Sequence, residues 1–164
     1  FLDDDNNPVA PGEAGEVTIT TLGVTGMPLV RFKTGDVVYH YDEPCRCGRN
    51  TVRVSSVVGR KKQMIKFKGT TLYPPALFDI LDNIPDVKNY VVEVFTNELG
   101  TDDVLVRVGT LTPGERFEKE IKDIFRAKVR VAPGVIFDTP ENVSKIMFPP
   151  MSRKPVKFID KRSH

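Results

Sequence analysis

Gln63 to Thr96 reads QMIKFKGTTLYPPALFDILDNIPDVKNYVVEVFT, and the change of hydrophobic period along it sets the fold. Met64, Lys66 and Lys68 alternate with Ile65 and Phe67, a period of two that predicts a half-buried strand. TTLYP returns as the second arm of a hairpin, with Gly69 at its turn. After Pro74 and Pro75, which a helix tolerates in its first turn, the spacing becomes helical. Leu77, Phe78, Ile80, Leu81 and Ile84 fall on one stripe. The stretch 87–96, VKNYVVEVFT, reads as a strand again.

Downstream, the polar turn NELGTD leads to a second strand at 103–109. Thr112, Pro113 and Glu115 open an amphipathic helix, GERFEKEIKDIFRAK, that buries Phe117, Ile121, Ile124 and Phe125. Residues 128–138 and 143–148 read as further short strands. Hairpin, helix, strand, strand, helix, strand describes an α+β sandwich of two helices on an antiparallel sheet. Upstream, EVTITTL and VVYHY alternate apolar and polar side chains between Gly23, Gly26, Pro28 and Gly35, and 51–58 reads as one more strand, so this part is β-rich. Gly59, with four basic residues in the next seven positions, marks a junction. The expected division is 1–58 and 59–164.

A chain of 164 residues, 40% hydrophobic, can bury a real core as one domain or two small ones. Its 24 basic and 22 acidic residues are interspersed, so a net charge of +2 supplies no global field for nucleic acid or membrane. Any electrostatic function is therefore local. No apolar run reaches membrane-span length, and FLDDDNNPVAPGEAGE lacks the basic and apolar regions of an export signal. A cytoplasmic setting is expected, and the opening Phe1 reads as a cut from a longer protein.

Two local features could carry chemistry. In Thr34-Gly35-Asp36 the glycine permits a tight turn, and an aspartate on a short stem at a strand end can accept two hydrogen bonds from vicinal hydroxyls such as those of ribose. The same three residues also suit an ordinary self-capping turn. Cys45 and Cys47, one residue apart in EPCRCGR, are too close to staple a fold, and read either as structural thiols or as half of a zinc site. His40 is near enough in sequence to be a third ligand, and the other histidine is His164.

The company of these residues narrows the reading. The run GEVTITTLGVTGMPLVRFKTGD, then EPCRCGR, VVGR and LYPPALFDIL, resembles in order the phenylacetate-CoA ligase branch of the adenylate-forming superfamily, over essentially the whole chain. The resemblance implies an acid-thiol ligase that uses ATP and CoA on an aryl or arylacetic acid. It also implies that the phosphate loop, the acid pocket and the magnesium ligands lie in a missing N-terminal portion, leaving this piece inactive alone. On it, Asp36 would hold the ribose hydroxyls of ATP and of the acyl-adenylate, and Arg60 of VVGR would approach the nucleotide. Lys62 would be the hinge, where many relatives have aspartate. Gly69 would lie near the pantetheine channel. SRKPVKFIDKR, Ser152 to Arg162, resembles the family's terminal segment, and matching Ile159-Asp160 places Lys154 at the lysine that reaches the acyl carboxylate and α-phosphate. The family's preceding glycine is Arg153 here, and Pro155 follows. Outside the resemblance, a non-catalytic small-ligand sensor and an RNA-binding α+β module remain open, although FKGTTLY lacks the Gly-aromatic alternation of the latter.

Overall fold

Strand β1 (Ala14–Ile19) pairs antiparallel with β2 (Phe32–Tyr41), whose other partners are the short β3 (Arg53–Val54) and β4 (Gly59–Arg60). This computed structural model describes residues 1–162. Its backbone divides into two compact units, Phe1–Gln63 and Met64–His164. Where 51–58 reads as one strand in sequence, only Arg53–Val54 pairs within it. The hydrogen bonds continue as isolated contacts, from Ser55 N to Tyr39 O and from Val58 N to Val37 O.

The second unit opens with the expected hairpin, β5 (Ile65–Phe67) and β6 (Thr70–Leu72). Phe67 pairs with Thr70 across a two-residue turn in which Lys68 and Gly69 have φ of +47° and +77°, the signature of a type I′ turn. Helix α1 (Pro74–Asp82) follows, with its prolines in the first turn. Then come β7 (Asn89–Thr96), β8 (Asp102–Gly109), α2 (Glu115–Val129), β9 (Gly134–Asp138), α3 (Pro140–Met147) and β10 (Phe158–Asp160).

The α+β class is as expected, but the sheet is mixed and carries a third helix. Its order is β10-β7-β8-β9, with β7 and β8 antiparallel and both edge strands parallel to their neighbours. The parallel β8–β9 pair arises because α2 carries the chain from β8 back to the start of β9, a crossover that a hairpin cannot make. Residues 143–148, expected as a strand, belong mostly to α3. Thr139 caps this helix by accepting from Asn142 N, and Pro140 takes its first turn.

Alternation along β7 and β8 splits the core in two. Tyr90, Val92, Val94, Val104, Val106 and Val108 face α1 and α2, joining Leu77, Leu81, Ile121 and Phe125 in the main cluster. Val91 on the other face packs with Val143 and Met147 of α3 and with Ile159 of β10. Glycine is required at 109 for this second layer, since a Cβ there would stand 1.8 Å from Asn89 Oδ1 and 3.0 Å from Pro140 Cα. Asn89 uses that closeness to donate to Pro140 O and Ser144 Oγ.

Candidate functional site

Asp36 lies inside β2 rather than at a strand end, and the local pairing explains its orientation. Register steps from Glu16↔Val37 to Thr18↔Lys33, so Thr34, Gly35 and Asp36 bulge opposite Val17. Gly35 takes φ of +80°, which a side chain would resist, and Thr34 Oγ1 fastens the bulge by donating to Val17 O and accepting from Asp36 N. A bulge re-aims the side chain that follows it, and this one leaves the Asp36 carboxylate about a third exposed.

Arg60 stands directly opposite Asp36 in the β2–β4 register, with its Nε 3.4 Å from Asp36 Oδ1. Among the described residues no donor is placed on Oδ2. The Arg60 side chain is 71% exposed, so the pair sits at the surface of the first unit with room for a further hydrogen-bonding group.

Immediately after Arg60, a 3-10 turn spans Lys61–Gln63. In the sequence Lys61 reads as one of a basic cluster, but its ammonium bridges Asp4 at 2.8 Å and the buried Glu16 at 3.1 Å. The hydrogen bond with Asp4, reinforced by Glu16, raises the Lys61 pKa above its ordinary value. Lys33 also approaches Glu16, at 3.8 Å. Glu16 gave no sequence signal, because a glutamate in an alternating strand looks solvent-facing. Lys62 follows this anchored lysine, is exposed, and lies one residue before the first unit ends.

Gly69 and Lys154 belong to the second unit. Gly69 meets the backbone demand of the hairpin turn, with open space where a side chain would stand. Lys154 is exposed in the segment between α3 and β10, where its carbonyl accepts from Ser152 Oγ at 2.6 Å. The segment is held at both ends. Val156 N donates to Met147 O, and β10 is registered on β7 with Ile159 opposite Glu93 and Asp160 opposite Val94. Arg162 then closes on Asp160, Asp102 and the carbonyl of Met64, and Asp102 accepts in turn from Lys66 N, tying the end of the chain to the hairpin.

Beside it, Lys157 donates to Asp82 and to Tyr90 Oη. Burial alone would raise the Asp82 carboxyl, but the bonds from Lys157 and Tyr90 outweigh it and hold the group below its usual range. Burial and the Asp82 carboxylate push the Tyr90 phenol well above its usual value.

The Cys45 and Cys47 sulfurs are 2.9 Å apart, and the Cys47 contact lowers the Cys45 pKa. His40, considered as a third zinc ligand, is instead buried and stacked on Phe1 with centroids 4.6 Å apart. Among the described residues no group of three His, Cys, Asp or Glu side chains could hold a metal ion. His164 lies outside the described residues.

No family model matches the chain. Among curated proteins, the phenylacetate-coenzyme A ligase of Thermus thermophilus is 33% identical over 110 residues, covering 67% of this chain and 25% of the relative. That of Escherichia coli (strain K12) is 33% identical over 73 residues, covering 44% and 16%. The chain is related to the phenylacetate-coenzyme A ligases over part of their length. It spans about a quarter of the Thermus relative. The fold agrees with this relationship. A 2-hydroxyisobutyryl-CoA ligase solved in the postadenylation state with R3-HIB-AMP gives a TM-score of 0.76 at 22% identity, over 98% of this chain and 35% of that one. An anthranilate CoA ligase in complex with anthranoyl-AMP gives 0.63 at 18% identity, over 95% and 31%. Among the described residues no helix is long and apolar enough to cross a membrane.

Proposed function

We propose that this chain is the C-terminal part of an ATP-dependent acyl-CoA ligase acting on an aryl or arylacetic acid. The observation that carries the reading is the registered pair of Asp36 and Arg60, set on a bulge and followed at once by Lys62 and the change of unit. In the first step a carboxylate oxygen of the acid attacks the α-phosphorus of ATP, and the bond to pyrophosphate breaks. In the second the CoA thiolate attacks the acyl carbon and AMP leaves.

Asp36 accepts hydrogen bonds from the ribose hydroxyls through the oxygen that Arg60 leaves open, while Arg60 approaches the nucleotide. Lys154, on an exposed segment, meets the negative charge that develops on the α-phosphate, stabilisation typically worth about 10² to 10³ in rate. Lys62 is the hinge about which the second unit turns between the two half-reactions, and the bridge from Lys61 to Glu16 fixes the near side of that hinge. Gly69 borders the pantetheine of CoA. A structural neighbour solved both in a postadenylation state and in a thioesterification state supports a two-step cycle of this kind. The phosphate loop, the acid pocket and the magnesium ligands are assigned to the remaining length of the protein, and the 164-residue chain alone is assigned no ligase activity.

The test is acid-dependent exchange of pyrophosphate into ATP by the full-length protein carrying Asp36→Ala. Loss of exchange with a raised KM for ATP supports the reading, and unchanged ATP dependence refutes it in favour of a sensor domain.

A further inference from the structure

Cys45 to Arg49 closes a tight loop after β2. Gly48 N donates to Cys45 O at 2.9 Å and Cys45 N to Arg49 O at 3.4 Å, and Gly48 takes φ of +83°, the pattern of a turn followed by a left-handed glycine. The loop brings the Cys45 and Cys47 side chains together, with their sulfurs 2.9 Å apart. Two sulfur ligands of one tetrahedral zinc, each about 2.3 Å from the metal, would stand about 3.8 Å apart. The observed spacing is shorter than that, and within about 1 Å of a bonded sulfur pair.

Cys47 is exposed and Cys45 half-buried, so a dissolved oxidant reaches the pair. Thiol chemistry runs through the thiolate, which a positive and partly exposed setting favours. Arg46 and Arg49 lie in the same loop. The Cys47 contact, with the field of Arg53 added, lowers the Cys45 pKa. A ring closed over a single intervening residue restrains very little of the unfolded chain, so a bond here would not staple the fold. Exposed or strained disulfides are also the ones that reduce readily.

We infer that Cys45 and Cys47 form a reversible thiol–disulfide exchange site, oxidised by a low-molecular-weight disulfide such as glutathione disulfide. The more exposed Cys47 thiolate attacks one sulfur of glutathione disulfide. A bond from Cys47 to glutathione forms, and one glutathione thiolate leaves. The Cys45 thiolate then attacks the Cys47 sulfur, closes the Cys45–Cys47 bond and expels the second glutathione. The two cysteines lose two electrons, glutathione disulfide gains them, and the two thiol protons end on the two released glutathione thiols. The site lies within the first unit and stands whether or not the ligase reading does.

The experiment equilibrates the full-length protein with mixtures of reduced and oxidised glutathione, blocks the remaining thiols with N-ethylmaleimide and maps residues 45 and 47 by mass spectrometry. Both cysteines should take label in the reduced mixture and neither in the oxidised one, where the peptide carries an internal disulfide and no glutathione. Excess reduced glutathione should restore both labels. Cys45→Ser removes the resolving thiol and should accumulate the glutathione adduct on Cys47 that the unsubstituted protein clears. Full labelling in every mixture overturns the proposal, as does a bond that joins two chains, one that resists reduced glutathione, or a Cys45→Ser protein that takes no adduct. Zinc retained on the pair by the purified protein, with both thiols shielded from oxidation, overturns it as well.

Discussion

Asp36 and Arg60 meet side by side across β2 and β4, 24 residues apart in sequence and 3.4 Å apart at Oδ1 and Nε. The pairing exists because the Gly35 bulge turns the aspartate out of the regular alternation of β2. Filling the left-handed position undoes that placement. Gly35→Val, which combines positive φ with a β-branched side chain, is expected to destabilise the first unit by about 1–3 kcal/mol and to raise the KM for ATP in the full-length protein. Urea unfolding followed alongside pyrophosphate exchange checks both.

The second unit should be acid-sensitive. Burial opposes ionisation of Asp82 and Glu93, yet Lys157 and Tyr90 on the first, and Lys161 and Arg107 on the second, hold both pKa values below normal. Asn142 and the Thr139 amide lower that of Asp138. A folded-state value below the unfolded one contributes stability that is complete above the ordinary carboxylate range, roughly pH 4, and is lost as pH falls through the lower folded values. Thermal midpoints measured downward from neutral pH should hold until about pH 5 and fall below it, and Glu93→Gln should flatten that fall.

Core substitution separates the two layers of the second unit. Phe125→Ala empties a fully buried site under the sheet and should cost about 3–5 kcal/mol. Gly109→Ala forces α3 off the opposite face and should cost about 1–3 kcal/mol. Chemical denaturation of each variant measures these losses.

Arg130 at the end of α2 offers the reverse effect. Its left-handed backbone makes Arg130→Gly stabilising by roughly 0.5–1 kcal/mol, seen as a higher thermal midpoint.

Much of this structure was legible from periodicity. The hairpin turn at Gly69, the stripe of Leu77, Ile80 and Leu81, and the buried face of α2 follow from local spacing alone. Helix α3 was misread because VSKIMF is too short for its period to separate helix from strand, although Thr139, Pro140 and Glu141 carried a start signal. Parallel pairing of β9 and β10 depends on which face each crossover covers, a tertiary fact that no short window contains. Asp36, Arg60 and Lys154 are singled out through resemblance alone, whereas the bulge that aims Asp36 and the buried Glu16 that holds Lys61 come from long-range pairing.

Lys154 gives the sharpest test of the account, because it is assigned to one half-reaction only. In the full-length protein Lys154→Ala is expected to cut acyl-adenylate formation about 10² to 10³-fold while thioester formation from supplied acyl-AMP and CoA stays near the unsubstituted rate. Equal loss of both half-reactions would contradict it.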